Sequence, residues 1–178
     1  MTKNIMIVGV GGQGTLLASK VLGQLFVDHG FDVKVSEVHG MSQRGGSVVT
    51  YVRYGDKVYS PLIEKGEADF IVSFELLESA RWVEYLNPKT GVLITNMMEI
   101  MPMPVITGAA EYPSDILNKL DVKVDSIDAG NERITNIMML GRLSRYFDYP
   151  DKDWIDAIKA CVKPEFVDMN IAAFEQGR

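Results

Sequence analysis

Cysteine is nearly missing from this sequence, since Cys161 is the only one in 178 residues. A single thiol cannot form an internal disulfide bond, and it cannot supply the roughly four thiolates that hold an iron–sulfur cluster. Histidine is almost as rare, with two residues, and no spacing typical of a metal site is present. The sequence therefore predicts no metal centre and no iron–sulfur cluster on this chain.

Positive charge is also scarce: 18 lysines and arginines stand against 24 acids, which gives a net charge of −6. Such a chain does not attract phosphate backbones, so nucleic acid is not an expected partner. No run approaches ~18 apolar residues, which predicts no transmembrane helix and no membrane partner. The first residues run directly into a strand pattern, so we expect no signal peptide and a cytoplasmic location.

The first third of the chain has the pattern of a βαβ unit. Residues 4–10 form a short apolar run, typical of a buried parallel strand. Leucines and valines at helical spacing follow, and Gly30 is expected to end that helix. Residues 32–38 alternate between apolar and polar side chains, which predicts a second strand.

Strands and helices continue to alternate along the rest of the chain. Residues 47–54 predict a strand, and residues 57–60 are expected to pair back on it as a hairpin across Gly55-Asp56. Further strands are expected at residues 68–74, 91–95 and 122–127. Helices are expected at residues 75–86, 131–147, 153–162 and 164–176. A short helix is also expected to start at residues 113–115, with Ser114 as its N-cap. The sequence therefore predicts an α/β fold: one Rossmann-like three-layer domain over residues 1–178, with a mostly parallel sheet and a β-hairpin after the second strand.

A glycine-rich turn with the spacing G-x-G-x-x-G follows the first strand. It reads Gly9, Val10, Gly11, Gly12, Gln13 and Gly14. The glycines allow a tight turn and close packing, and the free N–H groups at the helix start favour an anion. We interpret Gly9, Gly11, Gly12, Gln13 and Gly14 as candidates for binding an anion or coenzyme A. Glu37 lies farther on than the ~20 residues usual for a ribose-binding acid, so tight NAD binding is not expected. A purely structural turn remains the alternative.

A polar, glycine-rich loop separates the second and third strands. It reads His39, Gly40, Met41, Ser42, Gln43, Arg44, Gly45 and Gly46. Adjacent glycines let backbone N–H groups converge, and a nearby arginine can then complete a site for a carboxylate or phosphate. We therefore predict a partner or substrate contact through His39, Met41, Ser42, Gln43, Arg44, Gly45 and Gly46. A solvated surface loop is the alternative.

No set of catalytic residues is recognisable. The sequence contains no P-loop, no G-x-S-x-G elbow and no convincing carboxylate pair. His29, at a helix end, and Cys161, on an apolar helical pattern, are expected to be structural. Four methionines cluster near two prolines, namely Met97, Met98, Met101 and Met103. Core packing is the first interpretation of this cluster and a subunit contact is the second.

The glycine turn, together with residues 37–48, resembles the γ-type subunit of the 2-oxoacid:ferredoxin oxidoreductases. The octapeptide His-Gly-Met-Ser-Gln-Arg-Gly-Gly is most similar to the small (β) subunit of the indolepyruvate enzymes. The resemblance continues at Gly130-Asn131, Asn136, Leu140-Gly141 and residues 166–175, so it spans nearly the whole chain. The octapeptide is specific, whereas the glycine turn alone is a weak signal.

This resemblance implies an oxidative decarboxylation, in which a 2-oxoacid and coenzyme A become an acyl-CoA and carbon dioxide while ferredoxin receives the electrons. It also implies that thiamine diphosphate and the iron–sulfur clusters belong to a large catalytic partner subunit, with ferredoxin an indirect partner. This chain would then bind no cofactor alone. The alternative is a stand-alone Rossmann-type nucleotide-binding reductase or sensor, which a bound nicotinamide or flavin would favour.

Overall fold

The computed structural model describes residues 2–39, 45–129 and 134–178. Six strands form one sheet in the order β2-β3-β1-β4-β5-β6. They are β1 (Lys3–Val10), β2 (Asp32–His39), β3 (Ser47–Gly55), β4 (Phe70–Ser73), β5 (Val92–Asn96) and β6 (Lys123–Ile127). Only β3 runs against the direction of the other five. The carboxyl ends of those five strands therefore lie at one edge of the sheet, which we call the carboxyl edge.

Helices cover both faces of this sheet. They are α1 (Thr15–Asp28), α2 (Leu76–Trp82), α3 (Met103–Ile106), α4 (Ile116–Lys119), α5 (Thr135–Ser144), α6 (Asp151–Cys161) and α7 (Val167–Gly177), with short 3₁₀ turns at Val83–Tyr85 and Pro164–Phe166. One core packs α1, α5, α6 and α7 against alternate residues of the sheet. A smaller core lies on the opposite face, beneath α2. The alternation within β1 shows this division, because Ile5 and Ile7 enter the first core while Met6 and Val8 enter the second. The prediction of an α/β fold with helices on both faces is confirmed.

The predicted hairpin between residues 47–54 and 57–60 is wrong. In the structure β3 inserts between β2 and β1, so both of its edges already have antiparallel partners. Residues 57–60 then have no edge of β3 to pair with and form an irregular segment instead. The antiparallel hairpin after the second strand is the one made by β2 and β3 across residues 40–46.

Two predicted helix ends have different outcomes. Gly30 has a φ of +81°, and it follows the last turn of α1 as predicted. Ser114 is not the cap of α4, because Asp115 occupies that position with a φ of +54°.

Tyr146 is expected to make the protein less stable in alkaline solution. Its hydroxyl donates to Asp125 Oδ2 at 2.9 Å, and burial together with this bond raises its pKa from 10.0 to about 12. The unfolded chain therefore releases this proton first, so the free energy of unfolding falls as the pH rises from 10 to about 12. Urea titrations across this range should show a shallower decline for Tyr146→Phe. Tyr59→Phe, at a side chain that is 90% exposed, is the control. Equal slopes for wild type and Tyr146→Phe would contradict the prediction.

Candidate functional site

The glycine turn lies at the centre of the carboxyl edge, between β1 and α1. Gly12 and Gly14 have φ values of +105° and +82°, a backbone region that favours glycine. A Cβ on Gly14 would lie 2.4 Å from Asn136 Nδ2, and one on Gly9 would lie 2.8 Å from Gln13 Oε1. Conformation and close packing therefore already require glycine here, before any ligand is considered.

The turn and the end of the glycine-rich loop form one surface. The N–H of Gly11 donates to the carbonyl of Gly46 at 2.9 Å, and Val10 lies opposite Ser47 in the sheet. Gly45 has a φ of +76°. The structure thus brings together two features that the sequence separates by more than 30 positions.

The middle of that loop lies outside the described residues. This applies to Gly40, Met41, Ser42, Gln43 and Arg44, and also to the side chain of His39, whose backbone ends β2. The roles predicted for these residues therefore stay predictions. Gly130 and Asn131, which contribute to the resemblance, lie outside the described residues as well.

A first cleft of about 440 Å³ opens on the α1 side of the turn. It is lined by Gly11, Gly12, Gly14, Thr15, Leu16, Glu37 and Val48. Glu37 Oε2 accepts hydrogen bonds from Thr15 Oγ1 at 3.1 Å and from Thr50 Oγ1 at 3.0 Å. Glu37 therefore reaches the start of α1 in spite of its sequence distance, and it lies opposite Thr50 in the β2–β3 pair. Its carboxylate already places negative charge near the N-terminus of α1, which works against a phosphate group in this cleft.

A second cleft of about 360 Å³ opens on the other side of Gly45 and Gly46. It is lined by Val10, Gly45, Gly46, Ser47, Glu75, Leu77, Glu78, Arg81, Ile100, Met101, Pro102, Met103 and Ile106. Two of these residues, Glu75 and Glu78, are buried acids with 1% and 4% exposure. The sequence reasoning missed both, although an acid just after a buried strand, as Glu75 is, was an available signal.

Hydrogen bonds satisfy both buried acids. Glu78 Oε1 accepts from Arg81 Nε at 2.9 Å, and its Oε2 accepts from Trp82 Nε1 at 3.1 Å and also from the hydroxyl of Ser47. This network joins α2 to the start of β3, directly after the loop.

Glu75 has a different set of partners. It caps α2 by accepting from the N–H of Glu78 at 2.8 Å. It also accepts from the N–H of Ile100 at 3.1 Å and from the hydroxyl of Tyr112 at 2.8 Å. Burial, together with this bond to Glu75, raises the pKa of Tyr112 above its ordinary value. Glu75 thus holds the segment after β5 against α2.

The methionine cluster is not core. Met97, Met101 and Met103 are 42%, 41% and 67% exposed, and Ile106 beside them is 65% exposed. Core packing is therefore wrong for these three methionines, because β5 ends at Asn96 and the chain then runs across the surface. Met98 is the exception: it is partly buried, and its Sδ lies 3.6 Å from Gln13 Nε2.

His29 and Cys161, the remaining histidine and the single cysteine, have local structural surroundings. His29 ends α1, pairs with Asp153 at 3.1 Å and stacks on Tyr149. Cys161 is half-buried, and burial raises the pKa of its thiol. In the described ranges, no three His, Cys, Asp or Glu side chains converge to hold a metal ion. No helix within those ranges is long and apolar enough to cross a membrane.

Comparison with known proteins gives matches over the whole chain. A family model described as pyruvate ferredoxin/flavodoxin oxidoreductase matches residues 4–178. The chain is 40% identical to the indolepyruvate oxidoreductase subunit IorB of Thermococcus kodakarensis, over 98% of this chain and 93% of that protein. It is 36% identical to the subunit of the same name from Archaeoglobus fulgidus, over 99% and 94%.

Two solved structures share the fold. The γ subunit of a keto/oxoacid ferredoxin oxidoreductase from Geobacter sulfurreducens aligns with a TM-score of 0.72 and 21% identity, over 98% of this chain and 95% of that one. A 2-oxoglutarate:ferredoxin oxidoreductase from Magnetococcus marinus, with 2-oxoglutarate, coenzyme A and succinyl-CoA bound, aligns with a TM-score of 0.70 and 17% identity. That alignment covers 99% of this chain but 30% of the other, so the same fold there forms part of a longer chain.

Proposed function

The chain belongs to the pyruvate ferredoxin/flavodoxin oxidoreductase family, and from this premise we propose that it is the small, γ-type subunit of an indolepyruvate ferredoxin oxidoreductase. The observation that carries the proposal is the 40% identity to the indolepyruvate oxidoreductase subunit, which extends over nearly the full length of both chains. The proposed complex converts a 2-oxoacid and coenzyme A to an acyl-CoA and carbon dioxide, and it passes the electrons to ferredoxin. This chain is then one non-autonomous subunit, confined to the cytoplasm.

The residues of this chain do not fit the redox groups of such a reaction. Its one cysteine is half-buried on α6, whereas a cluster needs about four thiolates. The sequence also lacks a Gly-Asp-Gly segment of the kind expected at a thiamine diphosphate site. We therefore assign thiamine diphosphate and the clusters to the larger partner subunit, and to this chain the shaping of a surface that meets it.

We place that surface at the carboxyl edge, around Gly45 and Gly46. Both glycines line the second cleft, where Met101, Met103 and Ile106 present exposed apolar side chains. Methionine suits an apolar contact that must adapt to another surface, and contiguous exposed apolar side chains commonly mark protein interfaces. This supports the subunit-contact interpretation of the methionine cluster.

The described lining of the first cleft gives no support for a coenzyme A diphosphate at the glycine turn. Its described lining contains Glu37 but no lysine or arginine, so a phosphate there would meet a like charge. Arg44 is the cation that we propose for a carboxylate of the partner or a phosphate of coenzyme A, because a guanidinium donates to such groups in pairs. The glycine turn itself is then a packing element beside the contact surface.

The test is to express this chain alone and together with the native large subunit. We expect the isolated chain to give no dye reduction with indolepyruvate, coenzyme A and thiamine diphosphate, whereas the co-purified complex gives coenzyme A-dependent reduction. Calorimetry with NAD on the isolated chain tests the alternative, a stand-alone nucleotide-binding reductase or sensor. Steady dye reduction by the isolated chain would refute the proposal, and so would micromolar binding of NAD that is abolished in Gly11→Val.

A further inference from the structure

Three side-chain amides lie at the carboxyl edge. They belong to Gln13 in the glycine turn, Asn96 at the end of β5 and Asn136 in the first turn of α5. Asn96 is fully buried, and Asn136 is 6% exposed. We call these three residues the amide network, because each joins two segments that are distant in sequence.

Gln13 uses both ends of its amide. Oε1 accepts from the N–H of Val10 at 2.7 Å, which closes the glycine turn. Nε2 donates to the carbonyl of Phe74 at 3.1 Å, which ties the turn to the end of β4. The same nitrogen lies 3.6 Å from Met98 Sδ. One side chain therefore connects the turn to the segment that forms the wall of the second cleft.

Asn96 and Asn136 extend these connections. Asn96 Nδ2 donates to the same Phe74 carbonyl at 3.2 Å, while its Oδ1 accepts from the N–H of Ala129 at 3.1 Å. Asn136 Nδ2 donates to the carbonyl of Gly14 at 3.3 Å. The turn is thus tied to the ends of β4 and β5 on one side and to α5 on the other.

We propose that Gln13 is a positioning residue, which couples the glycine turn to the Met98 segment and so sets the spacing of the two clefts. Gln13 is absent from the described lining of both clefts, and both ends of its amide bond other parts of the protein. The coupling requires a donor and an acceptor on one side chain, which glutamine supplies. Its consequence for assembly rests on the proposed function, whereas the coupling itself does not.

Hydrogen–deuterium exchange on the isolated chain tests the coupling. In Gln13→Met, which has neither donor nor acceptor of comparable strength, exchange should accelerate at least about fivefold in peptides covering residues 9–14 and 97–103. Peptides from α6 should keep their wild-type rates. Gln24→Met is the matched control, because Gln24 lies on α1 and its hydrogen bond to Asp28, at 2.8 Å, is local.

Gln13→Glu provides a second readout that a purely structural defect would not produce. A carboxylate cannot donate to the Phe74 carbonyl, but a protonated carboxyl group can. The ratio of exchange rates, variant to wild type, should therefore be raised at neutral pH and should return toward one near pH 4, below the ordinary glutamate pKa of about 4.3. This measurement decides the question even if Gln13→Met does not fold.

Binding to the large subunit completes the test. We expect Gln13→Met and Gln13→Glu to raise the dissociation constant at least about tenfold, and Gln24→Met to leave it unchanged. Wild-type exchange at residues 97–103 in both folded Gln13 variants would overturn the inference, as would a dissociation constant within about threefold of wild type. If the wild-type chain does not bind the large subunit, the proposed function fails, while the exchange data still decide the coupling.

Discussion

Replacing Gly141 with alanine is expected to lower the free energy of unfolding by about 3 kcal/mol or more, the upper range for overpacking a well-packed core. Gly141 lies in the middle of α5, where α7 crosses it. A Cβ there would lie 2.1 Å from the carbonyl oxygen of Phe174 and 3.0 Å from its carbonyl carbon. Both are backbone atoms of α7, so no rotamer change can relieve the contact.

The two helices cannot separate cheaply. Nine of the ten residues of α5 are buried, and the side chain of Phe174 is 1% exposed within the main core. The crossing is equally close at its other end, since a Cβ on Gly177 would lie 1.9 Å from the carbonyl oxygen of Met138. Moving α7 outward would therefore open the core that supports the sheet.

Urea unfolding of the isolated chain measures this effect, with Gly23→Ala as the matched control. Gly23 is also within a helix, but the nearest atom to its Cβ is Val35 Cγ2 at 3.9 Å. Because glycine within a helix is about 1 kcal/mol less favourable than alanine, the control should be neutral or stabilising. If Gly141→Ala unfolds at the same urea concentration as Gly23→Ala, the tight crossing is not rigid and the prediction is wrong.

Replacing Arg44 with alanine is expected to weaken binding to the large subunit at least about 30-fold, which corresponds to roughly 2 kcal/mol. Removing one partner of a desolvated, charge-assisted hydrogen bond at an interface costs ~2–5 kcal/mol, whereas removing a solvated rim charge costs far less. Gly45 and Gly46, which follow Arg44 directly, line the second cleft, which is consistent with an Arg44 contact near it.

Arg145→Ala is the control for this experiment, since Arg145 is an exposed arginine at the far end of α5. Its removal should change the dissociation constant by less than about threefold.

Arg44→Lys keeps the charge but not the planar fork, so it should recover only part of the affinity. Wild-type affinity in a folded Arg44→Ala chain would identify residues 39–46 as a surface connection.

Local patterns predicted the first elements of the fold accurately. The strand expected at residues 4–10 is β1, Lys3–Val10, and the helix that Gly30 was expected to end is α1, Thr15–Asp28. These elements depend on apolar periodicity and on glycine conformation, which are properties of adjacent residues. The resemblance carried by the glycine turn and the octapeptide likewise agrees with the family that the whole chain matches.

Strand pairing could not be predicted in the same way. Residues 57–60 have a plausible strand composition next to a Gly-Asp turn, yet β3 pairs with β2 and β1. A strand is stabilised by hydrogen bonds to the strands beside it, and those neighbouring strands come from distant parts of the chain. The methionine cluster shows the same limit, because its exposure depends on where β5 ends and not on its own composition.

The sequence by itself determined the fold class, the glycine turn and the family, because each depends on the order of neighbouring residues. Only the tertiary structure decided how the site is assembled. Glu37 lies opposite Thr50 in the β2–β3 pair and accepts hydrogen bonds both from Thr50 and from Thr15, 22 positions away at the start of α1. Gln13 meets Phe74 and Met98 because the parallel strands end at one edge of the sheet. Contacts of this kind join residues 61 and 85 positions apart, so no local pattern records them: they form only when the whole sheet is paired.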